Sequence, residues 1–180
     1  FNFPPKDGAS YRSINFFEKL CEKHDVVLLT YPNKSLEFYS NQIKDKSKIH
    51  ELPLKTGINK IDSFFHRLTS NELPGFASHD ANSICENIEK LISAYGNFDI
   101  YYFATQLMGQ TVINKKYPGV NIIDLYDIYI EHRLGKISEV PIWKPFHWLF
   151  RLEAMRVKKY ERKILQLFDH IFVTCEEELK

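Results

Sequence analysis

A chain of 180 residues is long enough to bury a substantial core. At 44% hydrophobic and 26% charged residues it reads as globular rather than disordered. The net charge of +1 excludes the electrostatic footprint of a general nucleic-acid binder, and no apolar run is long enough to cross a bilayer.

The opening, FNFPPKDGASYRSINFFEKL, predicts a strand end, a turn centred on Gly8, and an amphipathic helix over 11–24. Ile14, Phe17, Leu20 and Cys21 have the spacing of one helical face. Strand, glycine turn and helix start together can make an anion site. The first N–H groups of a helix lack partners within it, and the helix dipole adds positive potential there. Gly8 can take φ > 0 and lets a ligand approach the backbone, Ser10 is a candidate N-cap, and Arg12 sits in the first turn. The same arrangement also serves as a plain connection between strand and helix.

DVVLLTY (25–31) is a continuous apolar run, the pattern of a strand covered on both faces. A helix over 35–46 and a short strand over 48–53 follow. Residues 58–70 and 80–95 are amphipathic, with Gly96 as the C-cap of the second helix and ELPGFASHDA as a linker between the two. FDIYYF (98–103) predicts a strand, 105–117 one helix ending before Pro118, and VNIIDLYD (120–127) a strand entering a polar loop. A long helix over 145–168 and a last strand, HIFVT (170–174), complete the series. The alternation predicts one α/β domain over 1–180. Its sheet is expected to be doubly wound, mostly parallel and flanked by helices. Phe1 reads as if inside a strand and CEEELK as the opening of a helix, so the chain is expected to be a piece of a longer protein. Cys21, Cys85 and Cys175 are far apart, odd in number and without metal-ligand spacing, the usage of a reducing compartment.

Ligands of such sheets bind beyond the carboxyl ends of the strands. The richest loop there is in IIDLYDIYIEHR, where Asp124 and Asp127 precede Glu131, His132 and Arg133. A carboxylate in that position can accept hydrogen bonds from sugar hydroxyls or act as a base, and Arg133 can hold a phosphate or orient a carboxylate. Asp127 can equally cap a short helix, and Asp124, the less accessible of the two, suits a structural role. In the helix over 145–168, Phe146, Leu149, Val157, Tyr160, Ile164 and Phe168 form a stripe with Glu153 in its middle. A carboxylate on an apolar stripe either pairs inside the protein or lines a cleft. The segment 143–163 mixes aromatic residues with Arg151, Arg156, Lys158, Lys159, Arg162 and Lys163. It fits contact with anionic lipid headgroups, and it also fits a solvated basic face over a packed stripe.

Taken in order, PPKDGASYRSINFFEKLCEKHDVVLLT, DLYDIYIEHR and RLEAMRVKKYERKILQLFDHIFVTCEEE resemble group 1 (family 4) glycosyltransferases. The resemblance rests on order and spacing, and between about 35 and 95 only the alternation matches. It implies the acceptor-side, Rossmann-like half of a two-domain GT-B enzyme. Such an enzyme transfers a sugar from a nucleotide donor with retention of configuration and without a bound metal or other cofactor. Gly8 and Ala9 would match the glycine pair beside the donor diphosphate, and Arg12 a nearby basic position. Asp127 would match the catalytic His/Asp position beside the acceptor, with Asp124, Arg133 and Glu153 as acceptor contacts. The chain departs from the pattern at Ala9, where the second glycine is expected, and at Cys175, where a serine is usual. The nucleotide-binding half would lie outside these residues.

The partners implied are a nucleotide-sugar donor and a sugar or lipid-linked sugar acceptor. The setting implied is the cytoplasm, with peripheral contact at the inner face of the membrane and a role in bacterial surface or capsular polysaccharide synthesis. Two alternatives stay open. One is a non-catalytic α/β module that binds a phosphorylated ligand or a protein; the other is a nucleotide-sugar 2-epimerase of the same GT-B plan.

Overall fold

A computed structural model describes residues 8–32, 41, 48–52, 81–125, 135 and 140–173. The expected helices over 35–46 and 58–70, the linker after the second, and the turn before Gly8 lie outside the described residues, apart from Asn41 and Ala81. The chain divides into two compact units, 1–54 and 55–180. Both are built from parallel strands and helices, so the protein is α/β.

In the first unit, helix α1 (Gly8–Lys23) precedes strands β1 (Leu28–Thr30) and β2 (Ile49–Glu51). The strands pair in parallel, with Leu28 opposite Ile49 and Thr30 opposite Glu51. Phe17 is buried against Cys21, Val26, Leu28 and Ile49, so the helical stripe covers the paired strands. The Leu52 N–H donates to Thr30 O at 2.8 Å and carries the pairing one residue further. The Lys48–Asp25 ion pair ties the approach to β2 to that of β1.

The start of α1 differs from expectation. The helix begins at Gly8, and Gly8 does not have a positive φ. Ser10 is therefore inside the helix rather than its cap, and Arg12 is in the second turn. A glycine takes negative φ as readily as positive, so its presence did not by itself require a turn.

The second unit contains helices α2 (Ala81–Tyr95), α3 (Gln106–Gly109), α4 (Thr111–Asn114) and α5 (Pro145–Leu165). Its sheet consists of β3 (Ile100–Phe103), β4 (Val120–Leu125) and β5 (His170–Val173), in the order β3-β4-β5 and all parallel. α2 buries Ile84, Ile88 and Leu91 at i, i+4 and i+7, and ends where Gly96 takes φ 87° and donates its N–H to Ile92 O. α5 carries Pro145 at its start, where a missing N–H costs nothing, and Arg162 and Lys163 in its last turn, where cations complement the dipole.

The expected single helix over 105–117 is two short ones. The Thr111 hydroxyl donates to Met108 O at 2.9 Å, and the Ile113 N–H bonds three residues back to Gln110 O. Gly109 faces the sheet so closely that a Cβ there would lie 2.6 Å from Ile123 Cδ1. A glycine permits that close approach. Along β4 the side chains alternate, and Asn121, Ile123 and Leu125 share one buried face with Tyr101 and Phe103 of β3. Tyr117, Ile164 and Phe168 are buried with them; the Tyr101 and Tyr117 rings stack at 4.9 Å, and the Phe103 and Phe168 rings meet edge to face at 5.5 Å.

Candidate functional site

The candidate site is built up from strand β4. Ile122 and Asp124 point to the face opposite Asn121 and Ile123, because side chains alternate along a strand. Tyr102 pairs with Ile122 in register, so Tyr102 and Asp124 are two steps apart on one face. The Tyr102 hydroxyl donates to Asp124 Oδ2 at 2.6 Å. On the other side, Phe172 of β5 is the register partner of Asp124, and its ring lies 6.5 Å from that of Tyr102. The Asp124 side chain is thus held between aromatic residues of both neighbouring strands, with the residue only 2% exposed. A buried carboxylate without hydrogen-bond donors is costly, and a phenol O–H supplies a short, charge-assisted bond. Chemically this is a strut just before the carboxyl edge.

The other candidates fall as follows. Gly8 is exposed at the start of α1, with open space where a Cβ would project. Ala9 follows it within the helix, and Arg12 is half-buried one turn after Gly8. The first N–H groups of α1 are those a helix leaves without internal acceptors. Glu153 belongs to α5, with its side chain outside the description. Asp127 and Arg133 lie outside the described residues, as does Cys175.

Tyr102 was missed by sequence reasoning. Its signal was the register of FDIYYF against VNIIDL, which two isolated strands do not reveal. Glu161 was missed as well. It is a buried acid of α5, one turn before the strand-covering end of the helix.

The opposite, amino edge of the same sheet is polar but built differently. Asn97, Asp99, Lys116, Gly119 and Asp169 line an open cleft beside the starts of β3 and β4. Asp169 accepts from the Asn121 N–H at 2.9 Å and from Lys116 Nζ at 2.8 Å. These two donors hold its carboxyl down at about 2. Nearby, burial pushes the Tyr117 hydroxyl and the Cys85 thiol above their ordinary values, and the Cys85 thiol donates to Thr111 O at 3.6 Å. Both groups stay protonated near neutrality, as packing residues do.

Fold and site together define an α/β protein with parallel sheets and a Tyr–Asp pair, its aspartate buried, behind the carboxyl edge of one of them. No family model, no curated protein and no solved structure matches the chain. Among the described residues, no helix is long and apolar enough to cross a membrane.

Proposed function

We propose that these residues form the acceptor-binding half of a retaining glycosyltransferase, which moves a sugar from a nucleotide-sugar donor to a sugar or lipid-linked acceptor. In this reading the chain follows a doubly wound, Rossmann-like plan, and the nucleotide is held by a second half outside these residues. The observation that carries the reading is the course of β4. A parallel strand carries Asp124, bonded to Tyr102, and the sequence places Asp127 two residues past its last described residue, toward the edge where such sheets bind ligands. The start of α1, with Gly8 and Arg12, supports it as an element that can attract an anion.

The roles follow from charge. As the bond from the anomeric carbon to the diphosphate breaks, negative charge grows on the leaving oxygens. The first N–H groups of α1 and the Arg12 guanidinium stabilise that charge. Asp127 accepts a hydrogen bond from a hydroxyl at the reacting centre and orients it. Asp124 steadies the carboxyl end of β4, and Arg133 and Glu153 contact the acceptor. The work takes place in the cytoplasm, at the inner membrane face where a lipid-linked acceptor presents its sugar.

A second reading, a non-catalytic phospho-ligand module, draws on Ala9 and on the ordinary helical backbone of Gly8. Incubation of the full-length protein with a panel of nucleotide sugars and glycolipid acceptors separates the two. Sugar transfer that is lost with Asp127→Ala supports the enzyme, whereas ligand binding without turnover supports the module.

A further inference from the structure

α5 has an outward face that changes character along its length. Trp148, Leu152 and Met155, at i, i+4 and i+7, are all exposed, and the same stripe continues as Lys159 and Arg162. Ala154, Tyr160, Glu161 and Ile164 are buried instead. The turn before the helix adds to the apolar end. Its Lys144 N–H donates to Pro141 O, and His147 Nδ1–H donates to Val140 O at 2.9 Å. That turn leaves Ile142 exposed and Trp143 83% exposed.

A solvated helix and its approach turn do not ordinarily present two tryptophans, a leucine and a methionine together. The surroundings of this patch indicate its partner. Lys144, Arg151, Lys158, Lys159, Arg162 and Lys163 are all exposed. Residues 142–165 contain seven basic and two acidic residues, while the whole chain carries a net charge of only +1. Of those two acids Glu161 is buried, away from the outward stripe. The Arg151 guanidinium sits 5.7 Å from the centre of the Trp148 ring, so the aromatic patch itself carries a cation. Exposed tryptophans ringed by Lys and Arg, on a helix about 31 Å long, are the composition of a segment that lies in a lipid interface.

We infer that the outward face of α5 and the preceding turn dock on an anionic lipid bilayer. Ile142, Trp143, Trp148, Leu152 and Met155 enter the headgroup–acyl boundary. Lys158, Lys159, Arg162 and Lys163 rest on the headgroups, and the helix lies obliquely with its amino end deeper. This gives the sugar-transfer reading its membrane partner and rests on that reading for its biological setting. Vesicle binding needs no sugar substrate, so either can fail without the other.

Trp143 and Trp148 are the chain's only two tryptophans, so intrinsic fluorescence reports on this face alone. Titration of the 180-residue chain with phosphatidylcholine vesicles containing phosphatidylglycerol should shift the emission to the blue, and brominated lipid should quench it. Pure phosphatidylcholine vesicles should bind about tenfold more weakly or worse, and added salt should narrow the difference. Joint Trp148→Ser, Leu152→Ser and Met155→Ser substitution should lower partitioning on the order of 100-fold with an unchanged circular dichroism spectrum. If that variant loses its fold, Trp143→Ser at the most exposed position takes its place and should lower partitioning about tenfold. Joint Lys158→Glu, Lys159→Glu and Arg162→Glu substitution should weaken binding to anionic vesicles only. No spectral shift with either vesicle, or partitioning indifferent to these substitutions, would overturn the inference. So would self-association that the serine variant abolishes in a chain that ignores vesicles, which would make the face a contact between copies.

Discussion

Asp169 and Asn121 hold each other through two hydrogen bonds: the Asn121 N–H donates to Asp169 Oδ2 at 2.9 Å, and the Asp169 N–H donates to Asn121 O at 2.9 Å. The pair joins the residue just before β5 to the second residue of β4. The Asn121 side chain, fully buried, donates to Tyr117 O and Gly119 O and closes the turn before β4. One asparagine and one aspartate thus set the register of two neighbouring strands from their amino ends.

This relationship has a pH signature. The carboxyl of Asp169 is depressed from 3.8 to about 2, first by the Asn121 N–H and then by Lys116. A depressed acid contributes stability that is fully present above its unfolded value and is lost as pH falls through its folded value. The contribution of Asp169 should therefore be intact above about pH 4 and vanish toward pH 2. Urea midpoints for the wild type and Asp169→Ala should differ at pH 6 and converge toward pH 2. A constant difference across that range would show that the carboxylate charge is not what holds the pair.

Glycine positions differ sharply in what they tolerate. Gly109→Ala places a Cβ 2.6 Å from Ile123 Cδ1 and 3.2 Å from Phe168 Cζ inside the core. It should cost about 1–3 kcal/mol in denaturant unfolding. Gly119→Ala meets the Phe98 carbonyl oxygen at 2.3 Å, and backbone yields less than a side chain, so it should cost more. Gly8→Ala meets nothing within 4 Å and should leave stability unchanged or raise it by up to about 1 kcal/mol. A drop in transfer rate with Gly8→Ala at undiminished stability would mark close approach of a ligand to that helix start.

The Tyr102–Asp124 bond should be measurable as a coupling. Tyr102→Phe keeps the ring and removes its hydroxyl, at an expected cost of about 1–3 kcal/mol, because it withdraws a donor from a buried carboxylate. In a double-mutant cycle with Asp124→Ala the two losses should fall short of additivity by on the order of 1 kcal/mol. Additive losses would mean that the two residues act separately.

Burial raises the thiols of both Cys21 and Cys85, and the Glu89 carboxylate adds to the rise at Cys85. In a Cys175→Ser background, both should react with a thiol-specific disulfide reagent at pH 8 far more slowly than in urea. Equal rates in the two conditions would contradict the packing described around Phe17 and Tyr117.

The long elements were legible because a periodic stripe dictates them. Ile84, Ile88 and Leu91 announce α2, and Gly96 marks its end, since only glycine takes φ 87° without strain. FDIYYF and VNIIDL were readable as strands for their β-branched and aromatic content. What escaped was set by contacts distant in sequence. The close seat of Gly109 against Ile123 and the Tyr102–Asp124 pair both join residues far apart in the chain. β1 is shorter than the apolar run 25–31 because its pairing with β2 spans only Leu28–Thr30. On α5 the buried stripe drew attention in the sequence, while the outward apolar stripe of Trp148, Leu152 and Met155 passed as part of a basic face. The site was the least legible. Gly8 was read as a turn because a glycine beside Asp7 and Ser10 suits a turn as well as a helix start.

The most direct test of the account is transfer by the full-length protein carrying Asp127→Ala. Product formation from a nucleotide-sugar donor should fall on the order of 100-fold or more, with the melting temperature within about two degrees of the wild type. Undiminished transfer with a lowered melting temperature would make Asp127 a helix cap and contradict the proposed catalytic edge.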